Sequence, residues 1–119
     1  MGVFGIIFVK AAYSIKQNSD FRRIFGKGKC AVTPYAVVYA MKSRGLPGRV
    51  GISVSSKLGN AVSRNRMKRR LREVFRLSRN QLKPGYDLII VARHKCLSAD
   101  FNILEDAFLS ACRELGIVK

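Results

Sequence analysis

Acid is what this chain has least of. Against 23 Lys and Arg stand seven carboxylates, Asp20, Glu73, Asp87, Asp100, Glu105, Asp106 and Glu114, for a formal net charge of +16. Histidine occurs once, as His94 between Arg93 and Lys95, which reads as a surface or phosphate-contacting residue and not as a general base. No Ser/His/Asp, Cys/His or phosphate-loop spacing is present, so no catalytic residue and no metal ligand is assigned to the chain. Asp100, Glu105 and Asp106 gather where the last helix should start, and carboxylates there suit the helix dipole. Cysteine is scarce too. Cys30, Cys96 and Cys112 lie in apolar surroundings without CxxC spacing, which argues for small buried side chains in a reducing cytoplasm and against a disulfide frame or a zinc site. Long hydrophobic runs are missing: Val3 to Val9 is too short to cross a bilayer and lacks the basic flank of a secretory signal. Met1-Gly2 opens like a myristoylation site, but Ile6 stands where that motif needs Ser or Thr. Residues 1–12 are therefore expected to form an N-terminal extension outside the fold, and residues 13–119 one domain. There are no repeats and no low-complexity linker, and 48% hydrophobic residues suffice for a packed core.

What the chain has in excess is concentrated. Lys57 to Arg79 holds nine basic residues and one acid, Glu73, so half of the net charge sits in this stretch. Read as a helix entered through Gly59-Asn60, it puts Met67, Leu71, Val74, Phe75 and Leu82 on one side. Asn65, Lys68, Arg69, Arg72, Arg76 and Arg79 fall on another, with Arg66 and Arg70 on a third flank. Solvated helix faces usually mix signs, because like charges four apart repel by a few tenths of a kcal/mol. A nearly unbroken positive stripe points to a polyanionic partner, nucleic acid ahead of an anionic membrane surface.

The flanking sequence supplies a scaffold. A short helix is expected over about Asp20 to Phe25, capped by Asn18 or Ser19 and ended by Gly26 and Gly28, with Phe21 and Phe25 four apart on one face. Val32 to Met41 reads as a strand in which Tyr35, Val37 and Tyr39 share a face. Gly45-Leu46-Pro47-Gly48 signals a hairpin leading to a partner strand over Arg49 to Ser55, where the small Gly51, Ser53 and Ser55 leave room close to the sheet. Pro84-Gly85 stops the basic helix, Tyr86 to Arg93 reads as a central strand, and Asp100 to Leu115 as the last helix, with a stripe of Phe101, Leu104, Phe108, Ala111, Cys112 and Leu115. The order α-β-β-α-β-α, with room for one further short strand, makes an α+β single-domain sandwich of helices on a small sheet. Phe21, Phe25, Tyr35 and Tyr39 could stack on unpaired bases while Arg and Lys hold phosphates, the physics of single-strand binding.

Gly59-Asn60-Ala61-Val62-Ser63-Arg64-Asn65-Arg66-Met67-Lys68-Arg69, with Arg72 downstream, resembles the signature of the bacterial ribonuclease P protein subunit. The flanks agree, from Asn18-Ser19-Asp20-Phe21-Arg22-Arg23-Ile24-Phe25 through Val50 to Lys57 and Tyr86 to Arg93, so the resemblance covers about Tyr13 to Leu115. It implies a ribosomal-protein-like fold with the basic helix in a left-handed βαβ crossover, against the general rule. It implies a protein that binds a catalytic RNA subunit and precursor tRNA in the cytoplasm, with no membrane or DNA partner, and a holoenzyme that is an endoribonuclease removing the 5′ leader. The RNA would hold the magnesium ions, with none bound by the protein alone. By position, Arg64, Asn65, Arg66, Lys68, Arg69 and Arg72 would contact the RNA subunit, and Phe21, Phe25, Val37, Tyr39 and Lys57 would line a cleft for the leader. A structural RNA-binding module such as a ribosomal protein is the alternative; charge does not separate the two, whereas the Gly59 to Arg69 signature favours the first.

Overall fold

The computed structural model describes residues 7–8, 15, 18–43 and 48–119. In chain order these form β1 (Ile7–Phe8), α1 (Asn18–Lys27), β2 (Lys29–Val32), β3 (Ala36–Lys42), β4 (Val50–Ser53), α2 (Ala61–Ser78), β5 (Tyr86–Ala92) and α3 (Phe101–Glu114). The strands make one sheet in the order β1-β4-β5-β3-β2. The expected α-β-β-α-β-α sequence is present, with two short strands added to it.

β5 organises the sheet. Its apolar run pairs antiparallel with β3 from Ala36↔Ala92 to Lys42↔Tyr86, and parallel with β4 from Val50↔Leu88 to Ser53↔Val91. Leu88, Ile90 and Ala92 point into the larger core beneath α2 and α3, while Ile89 joins Ile15, Phe21 and Ile24 under α1. A strand covered on both faces needs no polar alternation, and none is seen. The expected hairpin partnership of the strands flanking 44–47 does not form. β5 lies between β3 and β4, because a run apolar on both faces buries more by taking both neighbours than by standing at an edge. The turn residues Gly45, Leu46 and Pro47 lie outside the described residues. β4, α2 and β5 form the parallel βαβ crossover unit that the resemblance implies.

The strand expected over Val32 to Met41 begins only at Ala36, as β3, and a further strand that was not expected, β2, ends at Val32. Thr33-Pro34-Tyr35 turns the chain, and β2 pairs back on β3 from Lys29↔Ala40 to Val32↔Val37. The Thr33 hydroxyl fixes the turn, accepting from the Tyr35 and Ala36 amides at 3.2 and 3.0 Å and donating to the Ala36 carbonyl at 2.7 Å. Tyr35 therefore leaves the face of Val37 and Tyr39 and packs against the larger core. α1 is longer than expected and starts at Asn18. At its other end Gly28 is required, since a Cβ there would lie 2.6 Å from the Ile24 carbonyl oxygen and 2.9 Å from that of Ala40.

Residues 1–12 are not wholly outside the fold. Ile7 and Phe8 pair antiparallel with Ile52 and Gly51, adding an edge strand to β4, and Ile15 continues the contact by donating from its amide to the Val50 carbonyl at 3.2 Å. The rest of that stretch lies outside the described residues. Cys96 and Cys112 are buried, as their surroundings suggest, but Cys30 is exposed, because it sits on edge strand β2 facing away from the core.

Candidate RNA interface

The basic helix is built from its first residue. Gly59, at φ 153°, turns the chain out of a short 3-10 turn, Ser56–Leu58, that the Ser55 hydroxyl caps by accepting from the Lys57 amide at 3.2 Å. Asn60 then caps α2, its side-chain oxygen accepting from the Ser63 amide at 2.9 Å. Such a cap contributes about 1 kcal/mol. Met67, Leu71, Val74 and Phe75 are buried against the sheet, as the periodicity predicts. Leu82 is buried as well, but beyond the helix end.

The outward side carries the predicted RNA-binding residues. Asn65, Arg66 and Arg69 are exposed, and Arg64, Lys68 and Arg72 are half-buried. Among the described residues none of Arg64, Arg66, Lys68 and Arg69 forms a salt bridge. Two neighbours that share the pattern are committed elsewhere. Arg76 grips Glu73 through Nε at 2.9 Å and Nη2 at 2.6 Å, and this bond holds the Glu73 carboxyl below its ordinary range. Arg70 donates from Nη2 to the Ala99 carbonyl, tying α2 to the loop before α3. The flank that periodicity assigns jointly to Arg66 and Arg70 is thus split between an exposed cation and a structural clamp. A rigid helix presenting fixed cations about 1.5 Å apart per residue along its axis suits a run of phosphates.

The opposite face of the sheet carries the predicted cleft residues, in two different states. Phe21 is 4% exposed, and its ring fills the notch over Gly51, where an added Cβ would meet Cζ at 2.5 Å and Cε1 at 2.7 Å. The room that Gly51 was expected to leave for a ligand is therefore taken by the protein's own ring, and Phe21 is a core residue without a free stacking face. Phe25 and Tyr39 differ. They meet edge to face at 4.9 Å and 88°, remain half-exposed, and stand beside Val37, which shares the Tyr39 face. Phe21 supports them from below, with its ring centroid 6.3 Å from that of Phe25. Lys57 is exposed on the 3-10 turn.

Charge holds α1 over this face. Asp87, wholly buried on β5, accepts from the Arg49 amide at 3.0 Å, from its Nε at 3.3 Å and from its Nη2 at 2.9 Å. Arg49 also donates from Nη1 to Asp20 on α1 at 3.1 Å, and Arg23 bridges the same two carboxylates at 3.2 and 3.8 Å. The Arg49 bond, with help from Arg23, holds the Asp20 carboxyl below its ordinary value, and the bond to Asp87 raises the Arg49 guanidinium. Sequence reasoning passed over this network. Its signal was there in an acid, Asp87, placed inside an apolar strand run of a chain that has seven acids.

Among the described residues no group of three or more His, Cys, Asp or Glu side chains could hold a metal ion, and no described helix is long and apolar enough to cross a membrane. Comparison with known proteins gives consistent neighbours. Residues 9–116 match the family model described as Ribonuclease P. The ribonuclease P protein component of Staphylococcus carnosus is 44% identical over 98 residues, covering 82% of this chain and 83% of that protein. That of Natranaerobius thermophilus is 41% identical over 106 residues, covering 89% and 92%. Among solved structures, the Staphylococcus aureus RNase P protein superposes with a TM-score of 0.79 at 34% identity over 92% of this chain and 100% of that one. The Thermotoga maritima protein gives 0.76 at 30% over 85% and 96%.

Proposed function

The chain belongs to the ribonuclease P protein family, and we propose that within the ribonuclease P holoenzyme it positions two RNAs and leaves the cleavage to one of them. α2 lies against the catalytic RNA through Arg64, Asn65, Arg66, Lys68, Arg69 and Arg72. The groove beside α1 takes the 5′ leader of precursor tRNA, with Phe25, Val37 and Tyr39 as the surface that leader bases meet, Phe21 as its support and Lys57 as a phosphate contact. Magnesium ions, when held by the RNA, would supply the activated water, and no residue of this chain is assigned to hold them. The protein works in the cytoplasm, where its substrate is made.

The observation that carries this reading is the packed, capped α2 on which Arg64, Arg66, Lys68 and Arg69 form no salt bridge among the described residues. A ribosomal-type structural module would also be basic, but the family match sets that alternative aside. The test is reconstitution: protein, a bacterial ribonuclease P RNA and precursor tRNA at low magnesium should give 5′-matured tRNA, and protein alone should not. Efficient cleavage of precursor tRNA by RNA-free protein would overturn the division of labour. One solved relative is a Staphylococcus aureus RNase P protein mutant with defective mRNA degradation activity, which makes mRNA a second substrate to include in that assay.

A further inference from the structure

Away from the α1 cleft, where the C-terminal end of α2 meets the start of β5 and residues 117–119, lies a pocket of about 260 Å³. Its floor is apolar, formed by Phe75, Leu82, Leu88 and Ile117, all nearly buried. Its rim is basic, with Arg79, Lys83 and Lys119, and no acidic residue lines it. The rim is fixed by backbone: the Lys83 amide donates to the Ile117 carbonyl at 2.7 Å and the Lys119 amide to the Gln81 carbonyl at 2.8 Å, around an isolated Leu82↔Val118 bridge. Arg49 also borders the space, but its guanidinium is given over to Asp87 and Asp20.

Cations near a helix C-terminus are ordinarily explained by the dipole. That accounts for Arg79, at the end of α2, but not for Lys119, which another segment delivers, nor for an open apolar floor beneath the charges. An apolar base with an anionic rim partner fits both. The volume, about 260 Å³, is just below the range of ligand pockets, roughly 300–1,000 Å³, so a single nucleotide unit fits better than an extended cofactor. Asn80 on the rim offers both a donor and an acceptor to a base edge. The pocket also lies where the α2 stripe leads: Asn65, Arg69, Arg72 and Arg76 recur along the helix toward Arg79.

We propose that this pocket receives one unpaired nucleotide of the RNA bound along α2, with its base over the apolar floor and its phosphate at Lys83 and Lys119. The proposal rests on the reading of α2 as the RNA-subunit face. It extends that face by a site that grips a base as well as phosphates.

The experiment pairs crosslinking with affinity, using a bacterial ribonuclease P RNA substituted with 4-thiouridine. Irradiation of the complex should crosslink RNA to residues 79–86, and Lys83→Glu/Lys119→Glu should abolish that crosslink and weaken binding about tenfold, as expected for two lost phosphate contacts. Lys27→Glu/Lys29→Glu, with the same change of charge at the end of α1 and on edge strand β2, outside the pocket lining, should keep the crosslink. Weaker binding with no crosslink in residues 79–86 of the wild type would reduce the site to phosphate contact alone and overturn the proposal, as would equal losses in the two double variants. If wild-type protein fails to bind the RNA at all, it is the underlying reading of α2 that fails. Unfolding curves for both variants separate these outcomes from a loss of fold.

Discussion

Arg49 and Asp87 are bound three times over, through one backbone amide and two side-chain nitrogens, and the carboxylate has no access to water. Breaking a buried pair by neutralising one partner strands the other, at a cost of about 3–5 kcal/mol. Asp87→Asn should fall near about 3 kcal/mol, because Arg49 keeps part of its side chain in solvent. Urea denaturation measures the loss. A change below about 0.5 kcal/mol would mean that the network does not hold α1 to the sheet.

The Asp20 contact makes stability fall in acid. Its carboxyl is held below the ordinary 3.8 by Arg49 first and Arg23 second. The folded state therefore binds its proton less readily than the unfolded chain does. The contribution is complete above the unfolded value and is lost as pH falls from about 4 through the lower folded value. Thermal unfolding between pH 6 and pH 2 should show a shallower decline for Asp20→Asn than for the wild type. Parallel curves would rule the contact out as an acid-sensitive one.

Phe21 and Gly51 are a matched pair, and the two cleft rings beside them are not core in the same sense. Phe21→Ala should cost about 3–5 kcal/mol of stability. Gly51→Ala should cost about 1–3 kcal/mol, since its methyl would collide with the Phe21 ring. Phe25→Ala and Tyr39→Ala should instead lower affinity for precursor tRNA bearing a leader by about 1–3 kcal/mol per lost stack, and leave mature tRNA nearly unaffected. Binding of both ligands to the reconstituted holoenzyme, alongside melting curves, checks this. Equal losses for the two ligands would remove the groove from the mechanism.

On α2 the exposed and clamped arginines should part company. Arg64→Ala/Arg66→Ala/Arg69→Ala should keep the melting temperature and flatten the salt dependence of RNA binding by roughly 0.7–0.9 per lost phosphate contact. Arg70→Ala should do the reverse, lowering stability through the lost Ala99 bond with little change in salt slope. Matching salt slopes in wild type and triple variant would count against α2 as the RNA face.

Thiol reactivity should divide the cysteines. Burial pushes Cys96 up to about 11 and Cys112 up to about 12, while Cys30 is exposed. Iodoacetamide at pH 8 should label Cys30 alone in the native protein and all three in denaturant, read by mass spectrometry. Native labelling of Cys96 would show that the loop before α3 opens.

Much of this was legible in the residues, and the failures have physical reasons. Long periodic signals survived: α2, β5 and α3 lie close to where hydrophobic spacing puts them, because each buries a continuous stripe. The Thr33 turn was missed because a threonine hydroxyl replaces the usual glycine signal, so the expected strand ran back through the turn to Val32 and β2 went unread. The pairing of β4 with β5 depends on a contact between segments far apart in sequence, which no local turn motif encodes. The α2 stripe could be read because it follows from one helix alone. The cleft could only be half read, since whether Phe21 or Phe25 stays open depends on where α1 settles over Gly51.

The pairing of Ile7 and Phe8 with β4 has a bearing on how the protein behaves among its own copies. β4 is the outermost of the longer strands on its side of the sheet, and without those residues its free amides and carbonyls would face solvent as a template for another chain. A shortened chain beginning near residue 13 would keep its helices and all but one of its basic residues, Lys10, yet leave β4 uncovered where Ile7 and Phe8 pair with Ile52 and Gly51. With 22 basic residues left against seven acids, repulsion at +15 would keep such copies apart in dilute salt. Screening by salt, or neutralisation by a bound polyanion, would let them join edge to edge. The short strand is thus a guard against self-association under the very conditions in which the protein meets RNA.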